Sequence, residues 1–527
     1  MFVRTVCARR AVAWHVCGLT AFLLFLYLLF PTRNHYWDGI GFALNIEGIA
    51  ADQKGYLVEQ TQWGAIYYNP NHLLYNAIGG SLFESVKVVW PQSRALDVLV
   101  LWSTACSVLT ACLLFGLLLR FSGRIDVSLW LALLFALSAT WWKFSTDANA
   151  YVPSTSALVL CAWLATRPGK PPALTIGMLH ALAMLLHQIA IWFYPAMWVA
   201  IFTHRAWTAR PQRIRAVAGY TIVSASLVAA AYLVVWFVAL DRAWDPARFL
   251  AWITSNGGDV LSRKPLAQNV LDMLRASLRV FFGGRFSLAL RHGAMLVPAA
   301  GVVLVSAVVM IRWFWRGREI RLDFVKFPKS ARFLIAWLAS FLAFLSFWLT
   351  EFPYYRLFCL PAFVVVLGIL LRSSVPRRVP VFHPLPAFVG LMAALNFTLY
   401  IYPYSLPEAS PPLQIALQAR SLWREPVVLY FAEFTCDNWW VKYFNMHTTW
   451  RKANLRNYEH LSSQARREIR NGRRVFIDTG VLAHLDAKPE ARAALESEVV
   501  VSKPFGVSNG KHHIQFAELH LNDGGER

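Results

Sequence analysis

Cysteine, acidic residues and charge inside apolar runs are what this chain has least of. Seven cysteines occur in 527 residues. Cys7, Cys17, Cys106, Cys112, Cys161 and Cys359 lie in or beside apolar runs, and only Cys436 lies in the polar tail. A lone cysteine closes no disulfide within that tail, so there is no disulfide framework to read, and no metal-type cysteine cluster occurs. Asp and Glu total 29 against 51 Lys and Arg, a net charge of +22. In a soluble chain such an excess would point to nucleic acid. Here it sits in alternate short loops, which argues against nucleic acid as a partner. The first apolar run ends Leu29-Phe30-Pro31-Thr32, with no small-x-small cleavage site. That favours a retained first helix over a cleaved signal peptide. No internal repeat is visible.

What is present is a succession of apolar runs in a chain that is 57% hydrophobic. Ala11–Phe30, Ala95–Leu119, Val217–Leu240, Ala294–Trp313 and Ala331–Thr350 are each long enough to cross the hydrocarbon core as a helix. Hydropathy places about eleven spans in all, adding 126–143, 150–166, 174–187, 188–203, 355–371 and 382–402. The short pair 174–203 turns at Leu186-His187-Gln188 and either tilts or enters and returns. Positive charge collects at Arg4, Arg9 and Arg10 and in the loops Arg120–Arg124, Arg167–Lys170, Arg205–Arg215, Arg312–Arg332 and Arg372–Arg378. With the N-terminus cytoplasmic, every one of these falls inside, as the positive-inside rule requires.

That topology puts segments 31–94 and 241–293, and the C-terminal tail, on the extracytoplasmic side. In 241–293, Phe249, Trp252 and Ile253 share one helical face, as do Val270, Leu271, Leu274 and Leu278. Helices of this kind lie along the membrane interface. The chain thus divides into a transmembrane domain, 1–402, and a linker with a small domain, 403–527. Ser405–Pro412 is Pro-rich. Beyond it, strand-like runs Val427–Ala432, Val475–Asp478 and Ile514–Leu519 alternate with helical stretches Tyr458–Asn471 and Glu490–Glu498, the pattern of a small α/β domain. Trp439, Trp440 and Trp450 either pack its core or stack on sugar rings, the first being the commoner use.

Chemistry in such a chain is sought in polar residues where helices meet water. Asn34-His35-Tyr36-Trp37-Asp38-Gly39 follows the first helix. Asp38 suits a helix N-cap, and it equally suits an extracytoplasmic general base. Glu47 and Asp52 follow as secondary acidic candidates. On a helix begun near Asn71, His72, Tyr75 and Asn76 share a face. Asp147 lies in the turn after the third span, beside Lys143 and Tyr151. His187 sits at the apex of the short pair. Glu351-Phe352-Pro353-Tyr354-Tyr355-Arg356 joins spans nine and ten. Glu351 and Arg356 either pair with each other, or Arg356 holds a phosphate by bidentate hydrogen bonds. All these segments are extracytoplasmic and beside the bilayer, where a phospholipid donor presents its head group.

Together, Trp37-Asp38-Gly39, Asn69–Tyr75, Thr146-Asp147, Leu186-His187-Gln188 and Glu351–Arg356 give the chain a pattern that resembles the GT-C superfamily of polytopic glycosyltransferases. It looks most like the bacterial members related to protein O-mannosyltransferases and lipid A aminoarabinose transferases. The resemblance implies an α-helical polytopic membrane protein of the bacterial inner membrane with an extracytoplasmic α/β tail. It implies a polyprenyl-phosphate-linked sugar as donor and a glycan, lipid or protein acceptor among membrane lipids. Asp38 would be the catalytic base of an inverting transfer, and Asp147, His72, Tyr75, His187, Glu351 and Arg356 would hold donor phosphate and substrate. Relatives often carry an adjacent acidic pair where this chain has Asp38 followed by Gly39. The metal is therefore open: a divalent cation is one candidate, since hard cations bridge carboxylate and phosphate oxygens. Two other readings stay alongside. An O-antigen ligase or polymerase would rely on Arg279, Arg285, Arg291 and His292. A transporter or flippase would call for mid-helix charge and a repeat.

A reporter fused after Glu526 should be active only in the extracytoplasmic compartment. Activity confined to the cytoplasm would overturn the topology.

Overall fold

The computed structural model describes residues 2–48, 67–255, 264–316, 328–372, 383–432, 436–455, 457–509 and 512–522. The apolar runs fold as helices. Among the described residues, Arg10–Leu29, Ala95–Ser122, Arg210–Ala239, Gly293–Trp315 and Pro384–Tyr404 are long and apolar enough to cross a membrane. Ile125–Ala136 and Ala139–Ser145 make one more such run, bent by 70° at the break between them. Tyr151–Ala165, Ala173–Leu186, Gln188–Phe202 and Leu360–Leu371 are apolar but shorter. Among the described residues, five helices, or six with the bent pair, are thus long enough, so the count of eleven spans is not confirmed. Hydropathy averages across a window and passes over breaks that the backbone makes. The run 331–350 is an example: its helix stops at Leu345, and the chain turns through Leu349 with a left-handed φ of +46°. Ala95–Ser122 ends more cheaply on Gly123, φ +69°, whose N–H donates to the Leu119 carbonyl at 2.9 Å.

Each break inside the apolar unit frees backbone groups that cost several kcal/mol if left bare. Buried polar side chains take them up. Asn396 Nδ2 donates to the carbonyls of Leu137 at 2.9 Å and Phe281 at 2.7 Å, and its Oδ1 accepts the Gly283 N–H at 3.2 Å. Ser138 Oγ donates to the Phe135 carbonyl at 2.8 Å, and Thr104 Oγ1 to that of Ser145 at 2.9 Å.

Packing divides the chain into two units: Met1–Thr32 with Tyr67–Ser405, and Arg33–Ile66 with Leu406–Arg527. In the larger unit, the apolar face of helix Pro246–Ile253 packs against protein. Phe249 and Trp252 pack on Trp236, with ring centroids 5.3 and 5.7 Å apart, and Gln188 Nε2 donates to the Ile253 carbonyl at 3.2 Å. The second amphipathic helix, Leu266–Phe281, does leave Val270, Leu271, Leu274 and Leu278 exposed, as an interfacial face requires.

The smaller unit is built on a six-stranded sheet of order β2-β1-β3-β6-β4, with β5 paired to β6. Its strands are β1 (Val427–Phe431), β2 (Thr449–Lys452), β3 (Arg474–Asp478), β4 (Val499–Val501), β5 (Phe505–Asn509) and β6 (His512–Leu521). β1 is parallel to β2 and β3, and β6 runs antiparallel to β3, β4 and β5. The three strand-like runs of the sequence are β1, β3 and β6. The strands that escaped notice are short or polar, such as β2 with Thr-Trp-Arg-Lys. Pro411 and Pro412 open a helix, Pro411–Leu422, rather than extend a linker; proline fits a first turn because that turn's N–H groups have no intrahelical acceptor. Val428, Tyr430, Ile477, Val481 and Leu519 are buried in the core on one side of the sheet. Trp439 and Trp440 are buried, so they serve packing.

Helix Trp37–Ile46 belongs to this unit. Trp37 and Trp439 have ring centroids 5.8 Å apart, and the Tyr443 hydroxyl donates to Glu47 Oε1 at 2.8 Å. Gly41 lies under the Trp439 ring, where an added Cβ would come within 2.7 Å of it. Gly41→Ala should therefore lower the melting temperature. Overpacking costs about 1–3 kcal/mol, more than the ~1 kcal/mol that alanine gains in a helix. Gly18→Ala, with nothing within 4 Å, should leave it unchanged or raise it. Equal effects would show that the ring yields freely.

Candidate functional site

The 70° break positions a buried ion pair of the larger unit. Helix Ala139–Ser145 carries Lys143, and the turn after it carries Asp147. Lys143 Nζ donates to Asp147 Oδ2 at 2.6 Å, with side-chain exposures of 8% and 0%. Asp147 Oδ1 accepts the Ala148 N–H at 2.9 Å. Asn149 fixes the turn: its Nδ2 donates to the carbonyls of Phe144 at 2.6 Å and Asp147 at 2.8 Å, and its Oδ1 accepts the Val152 N–H at 2.9 Å. Sequence reasoning singled out Asp147 and passed over Lys143. Their i, i+4 spacing in an apolar run was the available signal.

Two histidines from distant segments meet here. His72 comes from the turn Pro70–His72 and His187 from the elbow after Ala173–Leu186. Their ring centroids are 4.6 Å apart and nearly perpendicular. His72 Nδ1 is 3.3 Å from the Leu186 carbonyl. Burial pushes the His72 ring down to about 4, against the opposing effect of that bond, so it is neutral at pH 7. His187 Nδ1 accepts the Ile189 N–H at 3.3 Å, and its Nε2 is buried without a hydrogen-bond partner. Tyr151, another residue the sequence did not single out as a site, connects them: its ring lies 4.9 Å from His187, 5.1 Å from Tyr354 and 5.7 Å from Tyr355. Tyr75 is buried and stacked on Trp102 at 5.0 Å. Burial, and then the nearby Asp147 carboxylate, hold its phenol well above the ordinary value. His72, Tyr75, Asp147, His187 and the 354–356 turn thus gather in one region.

Glu351 and Arg356 do not pair. Glu351 reaches Lys264 at 3.4 Å, which also binds Asp272 at 2.9 Å. Arg356 is buried. Its Nε donates to Ser277 Oγ at 3.2 Å, Nη1 to the Phe352 carbonyl and Nη2 to the Thr350 carbonyl, both at 2.7 Å. It braces the turn that begins at the left-handed Leu349. A guanidinium has five N–H donors, so three placed bonds leave two.

The acidic candidates of the first loop lie in the other unit. Asp38 is in the first turn of helix Trp37–Ile46, whose N-cap is Tyr36. It is therefore not the cap, and the helix N-terminus favours its charge through the macrodipole. Glu47 takes the Tyr443 hydroxyl. Asp52 lies outside the described residues. Among those described, no group of three or more His, Cys, Asp or Glu gathers as a metal cage would.

The helical apolar unit, its broken helices and the α/β tail make this a polytopic membrane protein with a GT-C-like fold. Among the solved structures it resembles are two of ArnT from Cupriavidus metallidurans. With the apo form the TM-score is 0.60 at 10% identity, over 97% of this chain and 98% of that one. With the form bound to undecaprenyl phosphate it is 0.54 at 10% identity, over 96% and 98%. No protein-family model and no curated protein matches the sequence.

Removing one partner of a buried ion pair leaves an uncompensated charge and costs about 3–5 kcal/mol. Lys143→Met should therefore lower stability sharply, and the double variant Lys143→Met/Asp147→Leu should recover much of the loss. Thermal melts of the purified variants check this. A double variant as unstable as the single one would show that packing, not charge, sets the cost.

Proposed function

We propose that this protein is an integral-membrane glycosyltransferase that moves a sugar from a polyprenyl-phosphate donor to an acceptor hydroxyl. The observation that carries the reading is the fold shared along almost the whole chain with a protein whose structure binds undecaprenyl phosphate. In this reading Asp38 takes the proton of the acceptor hydroxyl. The oxygen attacks the anomeric carbon, and the bond from that carbon to the phosphate oxygen breaks. The electron pair leaves with the polyprenyl phosphate, and the anomeric centre inverts. A leaving phosphate needs positive charge and donors placed in advance. The two spare N–H groups of Arg356 supply them, with Lys143 held ready by Asp147. His72, Tyr75, His187 and Glu351 surround the donor. The reading assigns no step to a metal ion.

Asp38→Asn separates catalysis from folding. Loss of a general base should lower turnover by about 10²–10⁴-fold. Loss of a first-turn charge should cost roughly 0.3–1 kcal/mol. The measurement is sugar transfer from a polyprenyl-phosphate donor by purified wild type and variant, alongside their melting temperatures. Near-normal turnover would remove Asp38 as the base and turn attention to Glu47 and Asp147.

A further inference from the structure

Four of the basic loops read from the sequence meet at one cavity of about 340 Å³ in the larger unit. Arg120 comes from the end of helix Ala95–Ser122, and Thr166 and Arg167 follow helix Tyr151–Ala165. Thr203 and Arg205 follow helix Tyr194–Phe202, and Ser330 precedes helix Arg332–Leu345. Three arginines thus line one hollow, and none of its described lining residues is acidic. Arg120 is fixed: its Nη1 donates to the Trp163 carbonyl at 2.8 Å and to Thr166 Oγ1 at 2.5 Å, and its guanidinium lies 5.2 Å from the Trp163 ring. Arg167 and Arg205 are exposed. Gathering like charges without a counter-ion is unfavourable, and guanidinium groups with hydroxyls beside them match phosphate oxygens.

The position identifies the source of the phosphate. On helix Ala95–Ser122, Trp102 stacks on Tyr75. Arg120 lies 18 residues further on, roughly 27 Å along the axis. The cavity is therefore at the opposite end of this helix from the His72–Tyr75 region. Phe121, Ala165, Ala200 and Phe333 line the same cavity and offer an apolar wall for acyl chains. Basic hollows between helix ends at a membrane surface take anionic head groups.

We propose that this cavity binds the phosphate of an anionic lipid head group. The site does not rest on the transferase reading and stands or falls without it. The test is titration of the full chain, purified in neutral detergent, with dihexanoyl phosphatidylglycerol, dihexanoyl phosphatidylcholine and inorganic phosphate, followed by tryptophan fluorescence. Phosphatidylglycerol should bind at least tenfold more tightly than phosphatidylcholine, and at least tenfold more weakly to Arg167→Gln/Arg205→Gln than to wild type. Both side chains are exposed, so the double variant should keep the wild-type melting temperature without lipid. Inorganic phosphate should compete weakly. Phosphate as tight as the lipid would make the free anion the ligand and overturn the lipid assignment. Equal lipid binding by the double variant, or equal affinity for the two lipids, would overturn the site itself.

Discussion

Satisfying the backbone inside an apolar unit is the constraint on which this structure depends. A helix keeps its own hydrogen bonds, and every break in one exposes carbonyls that no water is at hand to take. The chain breaks its helices at 137–138, at 146–150, at 187 and near 349, and each break is closed by a specific polar side chain. Asn396 serves three backbone groups, Asn149 holds the turn at Asp147, His187 caps the elbow it occupies, and Arg356 takes two carbonyls of the turn after Leu349. The residues that permit the breaks are thus among those gathered at the candidate site.

This has a consequence for chemistry. A charge in a low-dielectric interior is retained only when paired and hydrogen-bonded. Lys143 and Asp147 meet that condition through each other and through the Ala148 N–H. Arg356 meets it through carbonyl dipoles rather than a carboxylate. A cation stabilised by dipoles keeps its full charge available to an incoming anion, whereas one locked to a carboxylate has to share it. The two cations are therefore electrostatically unequal.

Some residues were readable one at a time and some were not. Asp38, Asp147, His72, Tyr75, His187, Glu351 and Arg356 stood out because each is polar at the edge of an apolar run. Nothing in their spacing said that His72 would touch His187, or that Arg356 would turn away from Glu351. Tyr151 and Lys143 were hidden by neighbours of the same kind, an aromatic among aromatics and a lysine in what passed for a surface turn. In the tail, β1 and β3 were legible because they are largely apolar and β6 because it alternates, all three at the middle of the sheet, while β2 is short and polar and carries little pattern.

The sequence by itself determined that the chain is helical and membrane-bound with a small α/β tail. Apolar length and the spacing of basic residues are properties of composition along the chain, and they survive any rearrangement of the helices. Only the tertiary structure decided where the long runs break, that helix Trp37–Ile46 packs with the tail through Gly41 and Trp439, and which polar residues become neighbours. Those outcomes depend on contacts between residues far apart in the chain, and on which buried backbone groups need a donor. A one-dimensional pattern records neither.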